Sequence, residues 1–254
     1  MEMIWTRQLC KTFHDKKRGE VEAVLPTDLR VGRGEVFGLL GPNGAGKTTF
    51  LRMLATVLSP TSGTACIDGR DLLEQAEEVK QIIGFLSGNT QLYGRLTPRE
   101  LLVYFGELYE MHRDAIEARS EELFSLLEMR GFVDKRIDKL STGQTQKTSI
   151  ARCILHDPPL FIMDEPTLGL DVLTSRAILE FIRGAASAGK TVVLSTHYMQ
   201  DAELLCDRIG LLHHGRILDI DTLEGYRRKC QKQHLAEIFL DYVDSEGGGG
   251  LELE

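Results

Sequence analysis

The apolar run Val36-Phe37-Gly38-Leu39-Leu40 leads directly into Gly41-Pro42-Asn43-Gly44-Ala45-Gly46-Lys47-Thr48-Thr49, a strand pattern that ends in a glycine-rich turn and opens a helix. This order of elements makes the turn a phosphate-binding P-loop. Glycines at 41, 44 and 46 let the backbone curl around an anion and aim successive N–H groups at it, and the helix beginning near Gly46 adds its positive N-terminal end. Lys47 is placed to neutralise the outer phosphates of a nucleoside triphosphate, and Thr48 to ligate Mg²⁺. A dinucleotide-binding loop is excluded by spacing, because no G-x-G-x-x-G occurs.

Further strand patterns at Leu160 to Met163, Thr191 to Ser195 and Ile209 to Leu212 alternate with helical patterns after residues 46, 141, 172 and 198. That alternation predicts an α/β fold with a largely parallel sheet. Ile4 to Phe13 and Val21 to Val31 instead read as antiparallel strands, with Gly32-Arg33-Gly34 as the turn before the P-loop strand. From about residue 87 the chain turns helical, with helices expected at Pro98 to Tyr109 and Asp114 to Glu128. These form an inserted helical subdomain of about 87–157. Residues 231–254 are expected to add a C-terminal strand and a flexible tail, the latter from the glycines at 247 to 250.

Composition narrows the function. A net charge of −8 with dispersed lysines and arginines argues against a nucleic-acid partner. No apolar run is long enough to span a bilayer and no signal-peptide core is evident, which predicts a cytoplasmic protein or one held at the membrane by another subunit. Five cysteines, at 10, 66, 153, 206 and 230, include no C-x-x-C pair and read as packing residues. His213-His214 lies at an expected hairpin turn and reads as a surface pair, not a metal site.

Leu160-Phe161-Ile162-Met163-Asp164-Glu165 is a buried strand that delivers two carboxylates to the sheet edge where the P-loop lies. A strand-end Asp suits Mg²⁺, and the adjacent acid suits activation of a water, so Asp164 takes the first role and Glu165 the second. Taken alone, Glu165 reads equally well as a capping or solvated acid. Leu140-Ser141-Thr142-Gly143-Gln144 favours the catalytic reading: Ser141 is a natural N-cap, Gly143 permits close backbone approach, and the helix start makes a second anion site suited to a γ-phosphate.

With these landmarks in this order, residues 4 to 225 resemble the ATP-binding cassette family, the ATPase subunits of ABC transporters. The resemblance implies a P-loop NTPase fold with a RecA-like, mostly parallel sheet core, an antiparallel β-subdomain and an inserted helical subdomain, the cassette covering residues 1–230. It implies ATP and Mg²⁺ as cofactors. It also implies a head-to-tail pair of cassettes, so that Ser141, Gly143 and Gln144 act in trans on ATP held by Lys47, Thr48 and Thr49 of the other copy. Phe13 matches the aromatic that stacks on adenine, with a core Phe as the alternative. Leu168-Gly169-Leu170-Asp171 matches the loop that communicates across the pair, and His197 the switch histidine that contacts the γ-phosphate and attacking water.

Two positions depart from the family pattern. Gly88 stands where a glutamine that contacts Mg²⁺ is usual, leaving Asn89, Gln91 or water as alternatives, and Thr142 replaces a glycine of the signature. Together with Leu92 to Glu100, these departures most resemble the sodium-exporter type of subunit and related drug-export ATPases, which dock on a separate membrane permease at the inner face of the plasma membrane. Sodium, a drug, a lipid or a polysaccharide would all fit, and the paired cassette is an identical copy or a different one. Two other readings compete: an ABC ATPase that never meets a permease, and an unrelated P-loop kinase or GTPase. The chain has neither two cassettes nor a coiled-coil insertion, and it lacks Asn-Lys-x-Asp.

Overall fold

The computed structural model describes residues 2–15, 19–88 and 92–247. Strands β1 (Glu2–Asp15) and β2 (Gly19–Gly32) form a long antiparallel hairpin, followed by β3 (Val36–Leu40) and α1 (Lys47–Leu54). Next come β4 (Ser62–Ile67), β5 (Arg70–Asp71), α2 (Ala76–Gln81) and β6 (Ile83–Leu86). The chain then turns helical through α3 (Pro98–Leu108), α4 (Arg113–Leu126), a 3₁₀ turn at Ile137–Lys139 and α5 (Thr142–Ile154). The remainder is β7 (Leu160–Asp164), α6 (Val172–Ser187), β8 (Thr191–Thr196), α7 (Met199–Leu205), β9 (Arg208–His213), β10 (Arg216–Asp221), α8 (Leu223–Cys230) and α9 (Leu235–Gly247).

Two sheets result. One is antiparallel, in the order β2-β1-β4-β5; the other has six strands in the order β10-β9-β3-β8-β7-β6, parallel except for β10. Every residue of β3, β7 and β8 is buried, as expected of central strands covered on both faces. One core, containing Leu39, Phe50, Leu51, Ile162 and Val193, fills the space between the two sheets and α1. A second, containing Phe161, Met163, Ile178 and Leu194, lies beneath α4, α5 and α6. The parallel register brings the carboxyl ends of β3, β7 and β8 together: Leu40 pairs with Thr196, and Asp164 with Ser195. Three functional segments therefore leave the sheet at one edge.

The helical insertion is tied down at identifiable points. Thr97 and Glu100 form a capping box at the start of α3, with Pro98 at the first helical position. The Arg152 guanidinium donates to the Phe85 carbonyl at 3.4 Å and lies 5.2 Å from the Phe105 ring centroid, linking α5, β6 and α3. His156 bonds the Ile83 carbonyl at 3.0 Å and stacks on Tyr109.

The C-terminal segment differs from expectation. Where a strand was expected after residue 230, α9 runs from Leu235 to Gly247. Leu235, Ile238, Phe239, Tyr242 and Val243 recur at helical spacing, and that face packs on Leu211 and Ala202. The Glu203 carboxylate accepts the Leu235 N–H at 2.7 Å, so α7 supplies the cap for α9. The expected flexible tail, residues 248–254, lies outside the described residues. Cys153 and Cys206 pack in the interior as free thiols, and burial pushes both thiols up, Cys153 to about 12. His213 is half-buried and His214 exposed at the β9-β10 turn.

Candidate functional site

A cavity of about 340 Å³ lies at the carboxyl edge of β3, lined by residues 42–49 with Ala23, Gly88, Asp164, Glu165 and Leu168. Its floor is the P-loop. Gly44 and Gly46 both adopt positive φ, at 81° and 106°, so each turns the backbone in a sense that L side chains resist. A Cβ at Gly46 would also lie 2.3 Å from the Ala23 carbonyl oxygen, so this turn is held against β2 by contact that only glycine permits. The β9-β10 turn braces it beside β2, with the Gly215 N–H donating to the Ala45 carbonyl at 2.9 Å. Gly46 precedes the first residue of α1, and no side chain caps that helix, which leaves its N–H groups facing the cavity as an anion cradle.

Lys47 is only 5% exposed. Its ammonium donates to the carbonyls of Gly41 at 2.6 Å and Pro42 at 3.1 Å and lies 3.3 Å from Glu165 Oε1. The Thr48 hydroxyl donates to Asp164 Oδ1 at 3.1 Å. Ser195, in the buried core of β8, donates to the same Asp164 oxygen at 2.6 Å. These are hard oxygen donors, and no cluster of three or more acidic, His or Cys side chains suited to a metal exists among the described residues. The donor set therefore fits a hard divalent cation that is bound jointly with substrate phosphates, not one caged by protein alone.

Glu165 is turned into this cavity by its backbone. Side chains alternate along a strand, so a residue following Asp164 in regular β conformation would point to the opposite face. Glu165 instead adopts φ 50°, the left-handed region, and both carboxylates line one cavity. Its N–H is held by the Ser195 carbonyl and hydroxyl, each at 3.1 Å. Such a conformation costs a non-glycine residue about 1–3 kcal/mol, and here it accompanies a buried ion-pair network. Glu165 Oε2 lies 2.8 Å from His197 Nδ1, just past the end of β8. Lys47, Glu165 and His197 thus form one chain of contacts, of which Lys47 and Glu165 line the cavity and His197 lies behind Glu165 without lining it.

The signature residues line a second cavity, of about 290 Å³, with Glu128, Phe132, Lys147, Asp171 and Thr174. Ser141 and Gln144 form a reciprocal capping box: Ser141 Oγ accepts the Gln144 N–H at 3.3 Å, and Gln144 Oε1 accepts the Ser141 N–H at 3.1 Å. A Cβ at Gly143 would lie 3.2 Å from the Thr174 side chain, so the close approach it permits is to α6. Thr142 is exposed at the helix start. Asp171 caps α6 through the Thr174 N–H and hydroxyl, and those bonds hold its carboxyl below the usual carboxylate range.

The two cavities share no lining residue, and residues 168 to 171 run from one to the other: Leu168 lines the first and Asp171 the second. Phe13 lines neither. Its ring is 40% exposed near the end of the β1-β2 hairpin with the Lys11 ammonium 5.2 Å from its centroid, which removes the core-packing alternative. Gly88 does line the first cavity, whereas Asn89 and Gln91 lie outside the described residues. Ser195 was missed by sequence reasoning; a hydroxyl inside the apolar run Thr191 to Thr196 was the available signal.

Comparisons with known proteins bear on the family and the fold. The ABC transporter family model matches residues 25–168. The chain is 41% identical over 239 residues to the ABC transporter ATP-binding protein NatA of Bacillus subtilis, covering 94% of this chain and 97% of that one. It is 36% identical over 207 residues to the probable multidrug ABC transporter ATP-binding protein YbhF of Escherichia coli, covering 82% of this chain but 36% of that longer protein. Among solved structures, an ATP-binding subunit of an ABC transporter superposes with a TM-score of 0.85 at 28% identity, covering 95% of this chain and 99% of that one. A dimeric cassette in a post-hydrolysis state, bound to ADP and phosphate, superposes with a TM-score of 0.79 at 27% identity, covering 87% and 98%.

Proposed function

This chain belongs to the ABC transporter family as an ATP-binding, ATP-hydrolysing subunit, and from that premise we propose that it powers export through a separate membrane permease, with Na⁺ or a drug-like molecule as cargo. The name of the multidrug relative supports a drug-like cargo, whereas export and Na⁺ rest on the sequence resemblance. No helix among the described residues is long and apolar enough to cross a membrane, which accords with attachment to the inner face of the plasma membrane through the permease.

The observation that carries the reading is the contact chain Lys47-Glu165-His197, which begins in the cavity floored by the P-loop. In the proposed mechanism the P-loop N–H groups and Lys47 hold the β- and γ-phosphates, Phe13 stacks on the base, and Thr49 lines the phosphate end. Thr48 and Asp164 would hold Mg²⁺, which would supply neutralisation of charge on the phosphate oxygens. Glu165 accepts a proton from the attacking water, and His197 orients that carboxylate while its ring remains within reach of the γ-phosphate. The left-handed backbone at Glu165 keeps the base pre-aimed, so no reorganisation of the strand is required at the moment of reaction.

Ser141, Gly143, Gln144 and Asp171 are proposed to complete the site of a second copy of the cassette. Their separation from the P-loop cavity within one chain supports this, since the two cavities have no lining residue in common. Closure of the pair on ATP and reopening on hydrolysis then move the helical insertion, which passes the motion to the permease. The test is capture of tagged Glu165→Gln protein from detergent-solubilised native membranes with MgATP, with co-purifying chains identified by mass spectrometry. A multi-span membrane protein is expected; recovery of soluble partners alone would overturn the transporter reading.

A further inference from the structure

Gly88 has no conformational reason to be glycine. Its φ lies outside the left-handed region, and a Cβ built there would meet the Asp164 carbonyl oxygen at 3.4 Å, Asp164 Oδ2 at 3.9 Å and Glu165 Cβ at 4.0 Å, all ordinary van der Waals separations. A larger side chain is therefore sterically admissible, and it would enter the P-loop cavity beside the Asp164 carboxylate. What glycine contributes is the absence of a donor: beside the Asp164 carboxylate, which accepts from the Thr48 hydroxyl, residue 88 lines the cavity without a side-chain oxygen.

From this we infer that Gly88 makes the nucleotide's cation site permissive, accepting Ca²⁺ about as readily as Mg²⁺. The inference rests on the proposed role of Thr48 and Asp164. Mg²⁺ demands near-octahedral geometry with about six ligands at about 2.0–2.1 Å, whereas Ca²⁺ takes about six to eight at about 2.3–2.6 Å in flexible arrangements. A protein oxygen fixed at residue 88 would impose one distance on that side and favour the smaller ion. Of the three alternatives at this position, Asn89, Gln91 and water, we take water: water and phosphate oxygens filling the space can move outward and increase in number, so the site loses its means of rejecting the larger ion.

The experiment follows bound Mn²⁺ by electron paramagnetic resonance in the full-length protein, held in excess over ADP, and displaces it with Mg²⁺ or with Ca²⁺. The wild type is expected to release Mn²⁺ at similar concentrations of the two ions. Gly88→Gln, which restores a hard oxygen, is expected to shift the ratio toward Mg²⁺ by about tenfold, the low end of what altered metal surroundings produce. Gly88→Ala adds volume without a donor and should leave the ratio near the wild-type value. A wild type that already prefers Mg²⁺ tenfold or more, or a Gln variant with an unchanged ratio, would overturn the inference. Asp164→Asn tests the premise separately: undiminished Mn²⁺ binding in that variant would sink the cation-site assignment itself.

Discussion

At Glu165 three demands meet in one residue: a carboxylate, burial, and a backbone conformation that disfavours any side chain. Glu165→Gln keeps the shape and the hydrogen-bonding reach to His197 while removing the basic oxygen. Turnover should fall by about 10²–10⁴-fold, the usual worth of a positioned general base, with nucleotide affinity retained. Steady-state phosphate release and a fluorescent-nucleotide titration check the two halves, and normal turnover would remove Glu165 as the base. Lys47→Ala should show the opposite split. Its ammonium is already desolvated against two carbonyls and a carboxylate, so truncation removes a preformed phosphate partner and affinity itself should drop. Unchanged nucleotide affinity in that variant would contradict the P-loop reading.

Among the elements, α5 and β6 illustrate how the insertion is attached to the sheet. β6 is the edge strand of the six-stranded sheet, and its carbonyls at Ile83 and Phe85 are taken by His156 and Arg152 from the end of α5 and just beyond it. Burial depresses the His156 imidazole to about 4, and its Nδ1 has no hydrogen-bond partner among the described residues. The folded protein therefore holds His156 neutral where the unfolded chain begins to protonate near its ordinary 6.5. Since the unfolded state binds more protons in this window, stability present above about pH 6.5 is lost as pH falls toward about 4, by on the order of 2 kcal/mol. Urea midpoints at pH 7 and 5 should differ less in His156→Phe, which preserves the stack on Tyr109, than in the wild type. An identical pH response in both would discard this account.

For the whole molecule, the separate positions of the two cavities lead to a complementation test. A Lys47→Ala copy has a damaged P-loop and an intact signature, and a Ser141→Arg copy the reverse. Each alone should be inactive, yet an equimolar mixture should recover ATPase activity, because one of the two composite sites in a mixed pair is intact. Recovery should rise more steeply than linearly with total protein at concentrations where pairs are scarce. A mixture as inactive as its components would reject sites shared between chains.

How much of this was legible in the sequence varied with the range of the interactions. The P-loop, the paired carboxylates after β7, the parallel core and the α5 cap are local: strand hydrophobicity, glycine placement and Ser-x-x-Gln spacing act within a few residues, so their order along the chain determined their form. The C-terminal helix was also locally encoded, in the spacing of Leu235, Ile238, Phe239 and Tyr242, and its misreading as a strand was an error of period. Ser195 was hidden because its function depends on Asp164, which is 31 residues away and adjacent only through the β7-β8 register. The same holds for the left-handed turn that swings Glu165 into the cavity, and for Gly88, whose missing side chain acquires meaning only against the Asp164 carboxylate. Local sequence specifies which chemical groups this protein carries and the elements that hold them. Which of those groups face one another is set by long-range packing, because register and crossover connections join residues that no local pattern relates.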